Sequence, residues 1–181
     1  MPKKRFKYGE ITLKILEYVA ASSEGVWKAF IDQKGLKRSL RYGYPLATER
    51  FFEYLRRLES RGYVEIKATS RSYSVKLTQK GEIKLLENQK KNKADGKWRI
   101  LSFDIPEELK NQRNLFRSSI KRIGFKMVQK SLWACPFIKA DQIEKIIKFY
   151  NLNKYVAYLI VEKSDIEEHL KGLFKQEFKN L

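Results

Sequence analysis

Trp98-Arg99-Ile100-Leu101-Ser102-Phe103-Asp104-Ile105-Pro106-Glu107-Glu108 reads as an apolar strand that stops at a carboxylate and turns into a helix. Pro106 suits the first turn of a helix, where its missing N–H costs nothing. Glu107 and Glu108 favour the positive end of the helix dipole. Leu109, Phe116, Ile120 and Ile123 come next as a buried stripe, and Gly124 ends the helix. Phe125 to Phe137 is strand-like, as two strands or as one with a bulge near Lys130-Ser131. Ile143, Ile146, Ile147 and Tyr150 repeat at i, i+3, i+4 and i+7, which predicts another helix. Tyr155-Val156-Ala157-Tyr158-Leu159-Ile160-Val161 is almost wholly apolar and reads as a central strand. A terminal helix carries Ile166, Leu170, Leu173 and Phe174. The order βαββαβ is the ferredoxin-like plan.

Upstream of this segment lies the polar run Glu87 to Lys97, ending in Asp95-Gly96-Lys97. It divides the chain into residues 1–88, a linker 89–97 and residues 98–181. In the first part, Ile11, Ile15 and Val19 recur at helical spacing. A second helix is expected from Val26 to about Lys34, with Trp27, Phe30 and Ile31 inward. A third is expected from Leu46 to Arg61. It places Phe51, Tyr54, Leu55 and Leu58 on one face and Arg50, Glu53 and Arg57 on the other. Gly62 stops it. Tyr63 to Lys67 and Tyr73 to Leu77 alternate as a hairpin, with Arg71 in its turn. Thr78 is a good N-cap for a fourth helix. Three helices and a hairpin are the order of a winged helix-turn-helix. The whole chain is therefore expected to be α+β: an N-terminal winged helix-turn-helix, then a ferredoxin-like domain and a C-terminal helix.

The 181 residues carry 39 basic and 21 acidic side chains, a net charge of +18. Such a surplus points to a polyanionic partner, and duplex DNA is the natural one. Residues 1–97 hold 23 basic and 11 acidic side chains, against 16 and 10 in residues 98–181. The stronger nucleic-acid signal thus lies in the first part. Lys34, Lys37, Arg38 and Arg41 form a patch with no acid between them. That patch and the basic arm Pro2-Lys3-Lys4-Arg5 suit phosphate contacts, which position a protein without reading sequence. Arg50, Glu53 and Arg57 suit a groove, and Arg71 suits a phosphate or the minor groove.

Other chemistry finds little support. One cysteine, Cys135, rules out a disulfide within the chain and fits a reducing compartment, so the protein reads as cytoplasmic. One histidine, His169, and one cysteine are too few for a Cys/His zinc site. No apolar run approaches membrane-spanning length, and no membrane partner is expected. Trp98, Trp133 and Phe137 read as core rather than as base-stacking platforms.

Tyr54-Leu55-Arg56-Arg57-Leu58-Glu59-Ser60-Arg61-Gly62-Tyr63-Val64 resembles the recognition-helix-to-wing junction of bacterial winged-helix regulators. Leu77-Thr78-Gln79-Lys80-Gly81 resembles the segment immediately after their wing. Trp98, Arg99, Phe103, Asp104, Pro106 and Glu107, with Gly124-Phe125, Gln129, Ser131, Trp133 and Pro136, resemble the ferredoxin-like domain of the PaaX-like phenylacetate-pathway repressors. That resemblance implies a DNA-binding repressor acting as a homodimer on double-stranded DNA. Family members generally carry a further C-terminal helical region. The resemblance ties any acyl-CoA or other small-molecule effector to that region, and no Gly-rich phosphate loop replaces it here.

About residues 98–162 also resemble the ferredoxin-like subunit of CRISPR spacer acquisition, which is described as an endonuclease. There the resemblance implies a magnesium-dependent nuclease or a spacer-integration subunit. Asp104 would be its catalytic and metal-binding residue, one carboxylate from each protomer meeting across a dimer two-fold. The other reading of Asp104 is a cap on the helix that starts at Pro106. A non-specific architectural dimer is a third reading. No cofactor is expected outside the nuclease case.

Overall fold

The computed structural model describes residues 8–21, 26–30, 48–68, 72–88 and 93–179. They form an α+β protein, with helices and antiparallel sheets in two compact units that divide between Leu85 and Leu86.

The first unit contains α1 (Tyr8–Ala21), β1 (Val26–Phe30), α2 (Thr48–Ser60), β2 (Val64–Ala68), β3 (Ser72–Leu77) and α3 (Gln79–Leu86), whose last residue falls to the second unit. The segment from Val26, expected to open a helix, is instead a strand. It pairs antiparallel with β3 from Val26↔Lys76 to Phe30↔Ser72. Val, Trp and Phe suit a pleated surface, and the free side of β3 supplies the ladder partners that a five-residue helix would lack. The sheet order is β1-β3-β2. Ile15, Leu16, Val19, Leu55, Leu58, Val64 and Val75 fill its core, so α1 and α2 bury one stripe each against the strands.

Gly62 ends α2 in the left-handed region, at φ 71°. The amides of Gly62 and Tyr63 donate to the carbonyls of Glu59 and Leu58 at 2.7 and 2.9 Å, closing the helix end. Thr78 caps α3 as expected, its Oγ1 accepting the Gly81 amide at 3.1 Å. The same hydroxyl donates to the Gly62 carbonyl at 2.6 Å, tying the end of α2 to the start of α3.

The second unit holds β4 (Ala94–Phe103), a single 3-10 turn (Glu107–Leu109), α4 (Lys110–Arg122), β5 (Lys126–Gln129), β6 (Leu132–Phe137), α5 (Ala140–Phe149), β7 (Val156–Val161), α6 (Glu167–Leu173) and α7 (Lys175–Phe178). Phe125 to Phe137 resolves into two strands joined at Lys130-Ser131. The sheet order is β5-β6-β4-β7, antiparallel throughout.

Two further expectations change. β4 begins at Ala94, so the last four residues of the expected linker belong to the sheet; residues 89–92 lie outside the described residues. Strand β7 is not central but an edge, paired with β4 alone. Its apolar run hid this, because the sheet is covered by helices on both faces. On one face, Phe103 meets Phe116 of α4 edge-on at 5.4 Å. On the other, Trp98, Ile100 and Ala134 pack against Leu170 and Phe174 of the terminal helices. Trp98, Trp133 and Phe137 are buried, as core aromatics should be.

Candidate nucleic-acid interface

Helix α2 is amphipathic by construction. Leu55 and Leu58 are buried, Phe52 and Tyr54 pack beside them, and Glu53, Arg56 and Arg57 are exposed. Arg50 lies on the same helix, three residues before Glu53 and seven before Arg57, which puts the three positions on one side of it. The Arg57 guanidinium stands 5.9 Å from the centre of the Tyr54 ring, a contact that orients it without neutralising it.

The balance of charge on this helix differs from a simple tally of its residues. Glu59 does not face an arginine. Its Oε1 accepts the backbone amide of Ile66 at 3.1 Å. Ile66 lies on β2, an edge strand, so this carboxylate caps an amide at the sheet edge. The acids near the exposed arginines are thereby one fewer than the sequence suggests. Nothing in the spacing of Glu59 and Ile66, seven residues apart across a turn, signals that contact.

The junction between α2 and the hairpin is tightly held. Lys80 donates to the Arg61 carbonyl at 2.8 Å and sits 5.3 Å from the Tyr63 ring centre. Gly81 packs so closely that a Cβ there would stand 2.1 Å from the Tyr63 carbonyl oxygen. These contacts tie the end of α2 and the start of the hairpin to α3. Of the other expected DNA contacts, Lys34, Lys37, Arg38, Arg41 and Arg71 lie outside the described residues. So does the Pro2–Arg5 arm.

Asp104 directly follows β4 and is exposed. Its amide donates to the Tyr155 carbonyl at 3.0 Å, but its carboxylate makes no hydrogen bond or ion pair among the described residues. It caps no helix: α4 starts at Lys110, after the 3-10 turn, and neither start carries a side-chain cap. The Pro106 ring and the turn carry the chain past Asp104 before the helix begins. The carboxylate instead borders a shallow depression shared with Ser102, Ser131, Lys154 and Tyr155. A hard divalent cation takes about six oxygen ligands. One carboxylate with a lysine in the same depression does not fit that demand within one chain. Among the described residues no three His, Cys, Asp or Glu side chains gather where a metal ion would sit.

The remaining polar groups of the second unit serve the fold. Arg99, nearly fully buried, holds Asp95 through both of its terminal nitrogens at 2.6 Å. Buried Glu87 accepts from the Ser119 hydroxyl at 2.7 Å and from Arg122 at 3.0 Å. Cys135 is buried, and burial pushes its thiol up to about 11, far from a reactive thiolate. His169 is exposed on α6. Among the described residues no helix is long and apolar enough to cross a membrane.

Residues 91–171 match the family model described as the PaaX protein central Cas2-like domain. The match runs from just before β4 into α6, so the second unit is similar to that Cas2-like domain over most of its length. No curated protein matches the chain.

Proposed function

We propose that this chain, with its PaaX-type domain at residues 91–171, is a PaaX-like transcriptional regulator that represses by binding duplex DNA as a homodimer. The observation that carries the reading is the first unit's sheet order, β1-β3-β2, with α2 running directly into the β2–β3 hairpin. That order supports a winged helix-turn-helix reading. In it, α2 takes the place of the recognition helix and the hairpin takes the place of the wing. On that reading we assign Arg50, Glu53 and Arg57 to the major groove and Arg71 to the wing. Lys34, Lys37, Arg38 and Arg41 serve the phosphate backbone.

The second unit supports a dimerising role. Counted within that unit, its strands lie in the order 2-3-1-4, which supports a ferredoxin-like plan. Strand β7 leaves one sheet edge open, with Leu159 and Ile160 about half exposed, at 47% and 58%. An edge of that kind is a template for a second strand, and a copy of itself related by a two-fold axis is its simplest partner. Two winged helices on such a dimer would meet half-sites spaced by one or more helical turns.

Selection from a random duplex library, followed by titration of the selected site against salt, tests this reading. A two-fold consensus is expected, with an affinity that falls steeply as salt rises. Arg57→Ala should weaken binding to the consensus by about 1–3 kcal/mol and relax one position of it. A library that returned no consensus would favour an architectural role, and salt-independent binding would sink the DNA reading altogether.

A further inference from the structure

The first helix of the second unit carries charge that neither its own fold nor the DNA-reading helix accounts for. Helix α4, Lys110–Arg122, holds five basic residues and no acid. Its buried side is Phe116, Ser119 and Ile120, so the opposite side faces solvent. Lys110, Asn111, Asn114, Ser118 and Lys121 are all exposed or part-exposed there.

The cations divide into two kinds. Arg122 is held by Glu87 at 3.0 Å, and Lys110 and Arg113 share Glu107 at 3.2 and 2.7 Å. These are committed to structure in whole or in part. Arg117 has no carboxylate partner among the described residues; it donates to the Lys130 carbonyl at 2.9 Å and lies over the Phe103 ring at 5.6 Å. That bond brings the Lys130 backbone against α4. The ammonium groups of Lys121 and Lys130 make no hydrogen bond or ion pair among the described residues, and both residues are exposed. From Glu107 to Lys130 the chain carries seven basic and two acidic residues. Such a helix repels itself unless an anion lies along it.

The geometry suits an extended polyanion better than a single ion. Lys110 to Lys121 spans about 16 Å at 1.5 Å per residue. A DNA strand presents a phosphate about every 3.4 Å of axis, so the ridge matches about five nucleotide steps. Lysine, arginine, asparagine and serine are the side chains that meet phosphate oxygens without reading bases.

We infer that the solvent face of α4, ending in Lys121, together with Lys130 of the β5–β6 turn held against that helix by Arg117, is a second phosphate-backbone contact for duplex DNA. The inference rests on the proposed DNA binding. It adds a sequence-independent contact made by the PaaX-type domain itself, apart from the helix that reads the groove.

The test titrates full-length protein with a random-sequence duplex over a range of salt concentrations. Wild type is compared with Lys121→Gln/Lys130→Gln and with Lys121→Arg/Lys130→Arg. The glutamine pair should lower the slope of log affinity against log salt by about 1.8, two contacts at about 0.9 each, while the arginine pair keeps the slope. An unchanged thermal midpoint in both variants confirms an intact fold. A slope unaltered by the glutamine pair would overturn the α4 contact and leave the DNA reading standing. Wild-type binding that does not respond to salt would overturn both. A slope lost equally in both pairs would also overturn it, because the effect would then come from side-chain shape and not from charge.

Discussion

Arg99 grips Asp95 from four residues further along the same strand, each of its terminal nitrogens 2.6 Å from a carboxylate oxygen. An ideal strand would separate such residues by about 13 Å. Here the register slips between Ala94 and Arg99, and Gly96 turns through φ 76°, bringing the two side chains together. Arg99 also donates to the Lys97 carbonyl at 2.7 Å, so one buried guanidinium holds the start of β4 in place.

The ion pair makes stability depend on acid. The Arg99 guanidinium holds the Asp95 carboxyl down at about 2, below its usual value. A folded value below the unfolded one stabilises the fold fully above the ordinary carboxylate range, and the gain is lost as pH falls. Asp95→Asn should therefore lower the thermal midpoint by several degrees at neutral pH. The gap from wild type should start to close below about pH 4 and vanish near pH 2. Thermal melts over that range provide the measurement. A gap that persists unchanged at pH 2 would remove the ion pair as its cause.

Gly81 is the position where the first unit tolerates least. Alanine there would place a Cβ 2.1 Å from a backbone oxygen of Tyr63 that already accepts the Thr78 amide at 3.1 Å. Gly81→Ala should destabilise by about 2 kcal/mol, by strain and not by lost contact. Gly9→Ala is a fitting control, since nothing lies within 4 Å of a Cβ at that glycine. Urea midpoints of the two variants decide the matter. Equal midpoints would mean that the hairpin yields easily.

The open edge of β7 predicts an oligomeric state. Ile160→Lys adds charge to a half-exposed position on that edge, a known means of blunting strand pairing. Sedimentation velocity should find wild type as a dimer and Ile160→Lys as a monomer with an unchanged circular dichroism spectrum. The variant's affinity for a two-fold DNA site should fall with the loss of the second arm. A variant that stays dimeric would move the interface elsewhere.

Much of this architecture was legible residue by residue. Thr78 caps where a threonine before an apolar stripe should, Gly62 takes the positive φ its place implies, and the stripe Phe116, Ile120, Ile123 is buried as spaced. The failures share a cause: they depend on partners far away in sequence. Val26–Phe30 becomes a strand because β3 lies beside it, a fact no five-residue window contains. Strand β7 looks central because its run is apolar, yet its residues are only part-buried and it pairs with β4 alone, a side-to-side relation that periodicity does not report. The Glu59 bond to Ile66 and the α4 ridge needed the fold before their meaning could be read. Around α4, Lys121 and Lys130 stand out only once Glu87 and Glu107 are seen to hold Arg122, Lys110 and Arg113.

The terminal helices close one face of the second unit's sheet. Leu170 and Phe174, both wholly buried against Trp98 and Ile100, roof the face that α4 and α5 leave uncovered. Lys126 fastens that roof, donating to the Leu173 carbonyl at 2.7 Å and pairing with Glu177 at 2.6 Å. Beside that roof Leu159 and Ile160 of β7 stay half exposed, which is where the proposed dimer would join. The opposite rim is β5, only four residues long and anchored by the same Lys126. Strand β7 offers six residues to a second strand and β5 only four, so β7 is the rim that the proposed dimer would use.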